Sequence, residues 1–454
     1  MFSKKFIMST LIASTIISGC VQKSKTEMKE PVVLNRAKIN LLSSSESAEK
    51  LARMGEILLG QEGFTVAYEI FKEALDKDPG NAKANFYKAF LNPIMKFKGF
   101  TKRVYKLSSA REKQKLINFE QDLKNKNMPE VFNFITKMSR DKSQFENYSD
   151  AQDFLRKEVL QALSESVENI NQISSSSFQV LFNQQKFDHS AGYKNTYTSS
   201  SCYQDSNYNY TCNDYSYTYE KSYDGIIKLD IDRKDLKIIK GYFKTLANYL
   251  RLGTAYSINN VQDLGDRLKE MDDENGSKKL TAFQVVYEIQ KNKDIFVLND
   301  SNLLADLKIN LQETLNDAQD FIDLNGEFCK SHLRENNLIK SICINEGTAT
   351  DIKKAINLLS GPDYVVIGQD KQKNDVRVMV DISAMLENPI NDLKEYLPTD
   401  FDGNGKATTY PDKTFKGLFP NGDIIEKLKE VNYSTSKNSI FINDSVESIG
   451  DYVD

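Results

Sequence analysis

Histidine is almost missing from this chain: His189 and His332 are the only two. Neither joins cysteines or carboxylates at the spacings zinc requires, and Cys329 with His332 makes only a lone Cys-x-x-His, so the usual zinc sites are excluded. There is no HExxH, no GxSxG, no phosphate loop and no dinucleotide GxGxxG, which removes the commonest protease, hydrolase, nucleotide and hydride-transfer chemistries. Ser434-Thr435-Ser436-Lys437 fits Ser-x-x-Lys, but it lies in a polar C-terminal stretch without companion motifs. A basic excess is missing too. With 60 Lys and Arg against 64 Asp and Glu, the net charge is −4, and no basic stretch is interleaved with aromatics, so nucleic acid is not expected as a partner. Beyond the N-terminus no segment supplies the ~18 uninterrupted apolar residues that mark a spanning helix. Carboxylates are plentiful, but nothing places two of them together as a glycosidase acid pair, and the chain is not read as an enzyme.

What is present is ordinary globular composition: 454 residues, 40% hydrophobic and 27% charged, enough for one large core or several smaller ones. The N-terminus has the parts of a secretory signal. Lys4 and Lys5 precede an apolar segment from Phe6 to about Ile17, interrupted by Ser9, Thr10, Ser14 and Thr15 and too short to span a bilayer. It ends in Ile17-Ser18-Gly19-Cys20, which resembles a bacterial lipobox. The resemblance implies cleavage before Cys20, whose sulfur then carries a diacylglycerol. Residues 1–19 are accordingly read as a signal peptide and 20–42 as a lipidated polar tether, the plainer alternative being an uncleaved anchor with a free Cys20. Val21 stands where an Asp would signal inner-membrane retention in many Gram-negative bacteria, so the resemblance points to the outer membrane. More than one acyl chain, as mature lipoproteins carry, is what stable anchoring needs.

Four cysteines remain, in two close pairs: Cys202 with Cys212, and Cys329 with Cys343. In an exported protein an even count favours disulfides, and proximity favours the local pairing among the three possible. Reduced, buried thiols are the alternative.

Residues 43–175 read as helical. Ser43-Ser44-Ser45-Glu46 looks like a capping box. From Ala48 to Asn81 the spacing resembles one tetratricopeptide repeat, a 34-residue helical hairpin. Leu51, Met54, Gly55 and Leu58 fall on its first helix, Ala67, Phe71 and Ala74 on its second, and Pro79 closes the turn. Gly55 and Ala67 are small where the helices must approach, and Phe71 fills the space between them. Leu51 and Leu58 depart from the Trp and Tyr that the family often has there. Ala82 to Leu91 starts a further helix that Asn92-Pro93 is expected to interrupt. One good repeat is fewer than such arrays need, so the hairpin must dock on something else, either as a buttress or as a partner-binding groove. Ser149-Asp150-Ala151-Gln152 reads as another capping box, followed by an apolar face of Leu155, Val159, Leu163, Val167 and Ile170.

Residues 176–454 read as an α+β body. Phe178 to Phe182 has strand character, and the next forty residues are rich in Tyr, Ser, Asn and Thr. Tyr215, Tyr217 and Tyr219 alternate on one strand face, as sugar stacking or cross-strand packing would use them. Ile227 to Ile231 alternates like a strand, with Asp232 capping a helix through Leu252. Helices are expected at Val261–Met271, Thr281–Lys291, Asn302–Leu324 and from Thr348, and a hairpin at Tyr364–Ile367 and Val376–Val380. Ile227-Lys228-Leu229-Asp230-Ile231 beside Val378-Met379-Val380-Asp381-Ile382 hints at duplication, with chance likeness of β-branched strands as the alternative.

Asp400-Phe401-Asp402-Gly403-Asn404-Gly405 matches the first half of a calcium loop, with Asp400, Asp402 and Asn404 as oxygen ligands, but Pro411 occupies the position of the closing Glu. The plainer reading is a Gly/Asn turn. The lipobox, the single repeat, the Leu229-Asp230-Ile231-Asp232 strand end and the late segment Phe415 to Gly422 together resemble uncharacterised repeat-containing lipoproteins of Gram-negative bacteria. The expected fold is α+β and mostly helical. The expected role is a membrane-anchored, non-catalytic envelope scaffold binding another envelope protein and needing no cofactor. The rival is a sugar or calcium-dependent ligand binder, with a hydrolase as a third reading.

Overall fold

The computed structural model describes residues 46–61, 63–108, 113–118, 134–136, 143–183, 194–204, 210–220, 226–275, 280–324, 346–405 and 407–432. Cys20, Ser43, His189, His332, Cys329, Cys343 and the Ser434–Lys437 motif lie outside the described residues. The fold is α+β and mostly helical, and its described strands form five separate two-stranded antiparallel sheets. The chain divides into two compact units, the first holding 1–144, 165–240 and 331–342, the second 145–164, 241–330 and 343–454. The boundary expected at 175/176 therefore falls inside the first unit.

In the first unit α1 (Ala48–Gln61), α2 (Phe64–Lys77) and α3 (Ala82–Lys96) pack in sequence. Close approach is set by size. A Cβ added to Gly55 would stand 2.5 Å from the Phe71 ring, well inside van der Waals contact, so α1 comes within reach of α2 only because this position is bare. Leu51, Ala67, Phe71 and Ala74 are fully buried, and Phe71 stacks on Tyr87 of α3 at 4.9 Å. Between α2 and α3 the Asp78 carboxylate accepts from the Gly80 amide (3.0 Å), and the Asn81 side chain caps α3 by accepting from Ala84 N (2.9 Å).

Asn92-Pro93 does not interrupt α3, which runs on to Lys96. A proline removes one backbone bond, but here less than one turn follows it, and the positions before it are held. Leu91 is buried, and Asn92 donates to the Asn169 side-chain amide oxygen Oδ1 (3.0 Å), while the Asn169 amide donates to Asn85 Oδ1 (2.8 Å). That amide chain ties α3 to the helix that carries Asn169.

Helix α4 (Tyr148–Phe154), a π-helical turn (Leu155–Val159) and α5 (Leu160–Asn171) follow one another without a break. The capping box expected at Ser149 begins two residues earlier. Asn147 accepts from Asp150 N (2.9 Å), and the Asp150 carboxylate accepts from Asn147 N (3.3 Å). Ser149 is already inside the helix. Of the expected apolar face Val159, Leu163 and Ile170 are buried, whereas Leu155 and Val167 are only partly so; at the π turn, which inserts one extra residue, Phe154 and Leu160 are buried as well.

Strand β1 (Ser177–Asn183) pairs antiparallel with β4 (Ile226–Asp232). Val180, Leu229 and Ile231 face the core, at 1%, 2% and 0% exposure. Between them β2 (Lys194–Gln204) and β3 (Tyr210–Glu220) form a long hairpin in which Cys202 is the register partner of Cys212. Residues 215, 217 and 219 fall at alternate positions of β3. Asp232 and Asp235 cap α6 (Arg233–Thr254) reciprocally, each carboxylate accepting the other's amide at 3.1 Å.

The second unit includes β5 (Tyr256–Ile258), α7 (Val261–Asn275), α8 (Ala282–Lys291), β6 (Ile295–Leu298), α9 (Ser301–Leu324) and α10 (Glu346–Ser360). Strands β7 (Asp363–Gln369) and β8 (Asp375–Val380) and helix α11 (Ile382–Glu387) follow. Ala255, Leu304, Leu307, Leu359 and Leu386 form a buried cluster. The β5–β6 pair was not expected, because three or four residues are too few for a period to register. Gln152 explains its position: 3% exposed, it donates to Tyr256 O (2.7 Å) and accepts from the Asn299 amide (3.3 Å).

The suspected duplication fails in the register that suggested it. Asp381 caps α11 by accepting from Ala384 N, whereas Asp230 lies within β4 opposite Gln179. The capping counterpart of Asp381 is Asp232. What the two segments share is a strand that ends in a helix-capping aspartate.

Candidate functional site

Two polar clusters stand out. The first lies where β1 meets α1 and α3. Glu56 on α1 has a side chain only 1% exposed, and it is paired with Lys83 Nζ at 2.7 Å. Its Oε1 accepts from the backbone N–H of Leu181 at 2.8 Å. The Tyr87 hydroxyl lies 3.1 Å from the same oxygen and donates toward the Leu181 carbonyl oxygen at 2.5 Å. Burial, then the negative charge of Glu56, push the Tyr87 phenol well above its ordinary range, so it stays a donor. One carboxylate and one phenol thus grip both main-chain groups of a single residue on an extended strand. Recognition of this kind reads backbone, with the flanking side chains left to pack; Phe178, for example, meets Phe86 edge-on at 5.7 Å.

The chain's own β1 covers this face of α1 and α3. Of the residues expected to shape the repeat, Gly55 and Phe71 meet at the α1–α2 contact, Ala67 and Ala74 are fully buried on α2, and Pro79 sits at the turn, where its carbonyl accepts from Asn85 (2.7 Å). Glu56 and Tyr87 were missed. The signal available was a carboxylate set among Leu51, Gly55, Leu58 and Leu59, inside an apolar helical stripe where only a paired charge survives.

The second cluster is the turn between β9 (Asp400–Phe401) and β10 (Ala407–Thr409). The half-match to a calcium loop forms a small hairpin. Asp402 Oδ1 accepts from Asn404 N (2.8 Å), and Asp402 O accepts from Gly405 N (2.9 Å). Gly405 has φ +76° and passes so close to Thr281 that an added Cβ would lie 2.7 Å from it, so both conformation and space call for glycine there. Its carbonyl accepts from Phe283 N (3.1 Å), which clamps the turn onto the start of α8, itself capped reciprocally by Thr281 and Gln284.

An open cleft of about 800 Å³ results, lined by Thr281, Phe283, Gln284 and residues 399–405. Phe283 is 49% exposed and meets Phe401 edge-on at 5.4 Å. Asp400 is exposed, with its Oδ2 accepting from the Thr399 hydroxyl (3.3 Å). Among the described residues no three His, Cys, Asp or Glu side chains are grouped to hold a metal. No described helix is long and apolar enough to cross a membrane. No family model matches the chain, and no curated protein or solved structure matches it either.

Proposed function

We propose that the chain is a lipid-anchored, non-catalytic adaptor of the cell envelope, exported and tethered through Cys20 to the outer membrane and built to hold another envelope protein. The observation that carries this reading is the α1–α3 packing, with its small-to-large interlock at tetratricopeptide spacing and a Glu56–Tyr87 pair that binds extended main chain. Helices of this kind serve as interaction scaffolds, and here they use that property first on β1. Crosslinking in the native envelope followed by mass spectrometry should recover one protein partner, and recovery of none sinks the adaptor. The anchor has its own test: metabolic labelling with a lipid precursor should be abolished in Cys20→Ala.

Export also makes the thiols of Cys202 and Cys212 candidates for a bridge. Directly opposed residues of an antiparallel pair have Cα atoms about 4.5–5.5 Å apart, inside the roughly 4.4–6.8 Å that a disulfide spans. A second reading is favoured by the aromatic-sided cleft at Phe283, Phe401 and Asp400–Gly405, which suits a sugar or a calcium-bridged ligand. Calorimetry with millimolar calcium tests it, with heat that is lost in Asp400→Asn as the supporting result.

A further inference from the structure

The β1–β4 sheet has two edges: α1 and α3 close that of β1, and among the described residues no strand closes that of β4. On β1, Leu181 gives its N–H to Glu56 and its carbonyl to the Tyr87 hydroxyl, so both groups point away from β4. In an antiparallel ladder, residues that face each other share this orientation, and it alternates along the strand. Leu181 faces Lys228. Lys228 therefore turns its N–H and C=O outward from β4, and so do Asp230 and Asp232. The last of these checks the phase, because its N–H is taken by Asp235 outside the sheet. Among the described residues no strand lies beyond β4.

The open edge carries an exposed lysine and a half-buried aspartate two residues apart, on either side of Leu229, whose side chain is in the core. Both lie on the face opposite Leu229 and Ile231, the face that also bears the exposed Gln179.

We propose that this edge pairs with the same edge of a second copy of the chain, antiparallel about a two-fold axis at Leu229. The sequence is self-complementary under that operation. Lys228 faces Asp230 of the second copy, and Asp230 faces its Lys228. Both positions point their backbone groups outward, so each facing pair exchanges the two hydrogen bonds of a ladder rung. Opposite charges directly across a ladder stabilise it, and like charges there do the reverse. A two-fold contact is closed, giving a four-stranded sheet and leaving no further strand to add at that edge. Two lysines, or two aspartates, at these positions would instead repel their own copies.

Sedimentation velocity on the full chain over a concentration series tests this. The unaltered chain should dimerise. Lys228→Asp and Asp230→Lys each set like charges opposite one another twice, and each should weaken the dimer by about tenfold or more. The double reversal should dimerise like the unaltered chain, and an equal mixture of the two single variants should associate more tightly than either alone. That last result separates interface from folding, since a variant that failed to fold would not be rescued by another chain; circular dichroism on each variant checks the same point. A monomer at every concentration overturns the proposal. So do single reversals that leave dimerisation unchanged, or a mixture no tighter than its components.

Discussion

Glu56 and Asp400 are the carboxylates of the two candidate sites, yet one is sealed inside α1, α3 and β1 while the other lies open on a small hairpin. Around Glu56 every partner is fixed: Lys83 supplies the opposite charge, Leu181 supplies an N–H, and the Tyr87 hydroxyl lies 3.1 Å away. In the β9–β10 turn Asp402 is satisfied by its own loop, through Asn404 and Gly405, so docking on α8 rests on the Gly405 carbonyl, which accepts from Phe283 N, and on the Phe283–Phe401 contact. The difference teaches where this chain keeps stability and where it keeps access. A buried charge specifies one arrangement and punishes any other, whereas an exposed carboxylate constrains little and stays within reach of a ligand.

The comparison breaks most sharply at Glu56. Replacing it with Ala leaves the Lys83 ammonium and the Leu181 N–H without their acceptor, and should cost about 3–5 kcal/mol, read as a lowered urea midpoint. A loss below about 1 kcal/mol would mean that water or Asp and Glu neighbours replace it, and the contrast with Asp400 would vanish. Next in size is Gly55→Ala, whose new methyl meets the Phe71 ring; overpacking there should cost about 1–3 kcal/mol by the same measurement. The smallest effect is expected at the other site. Asp400→Asn should change the midpoint by no more than about 0.5 kcal/mol, because the side chain is exposed and its contact is with its neighbour Thr399. A large loss at Asp400 would assign that turn a structural role and remove the reason to look there for a ligand.

Much of the architecture was readable along the chain. The α1–α2 hairpin, the stop at Pro79 and restart at Asn81, the strand ending at Asp232 and the β7–β8 hairpin each announce themselves within a turn or two of chain. Errors came where a distant contact overrode a local sign. Pro93 stays inside α3, next to an Asn92 held by Asn169, and Gln152 serves as a tie to Tyr256 and Asn299 instead of closing a cap.

Helical period, caps and turn residues are short-range properties, so composition and spacing alone determined the mostly helical α+β class and the places where elements begin and end. Which strand lies on which helix is a long-range matter. The partners of Glu56 stand 27, 31 and 125 positions away, and no local pattern carries that information. Only the folded chain decided that β1 would cover α1 and α3, because a buried carboxylate is tolerable solely where donors from remote segments converge on it.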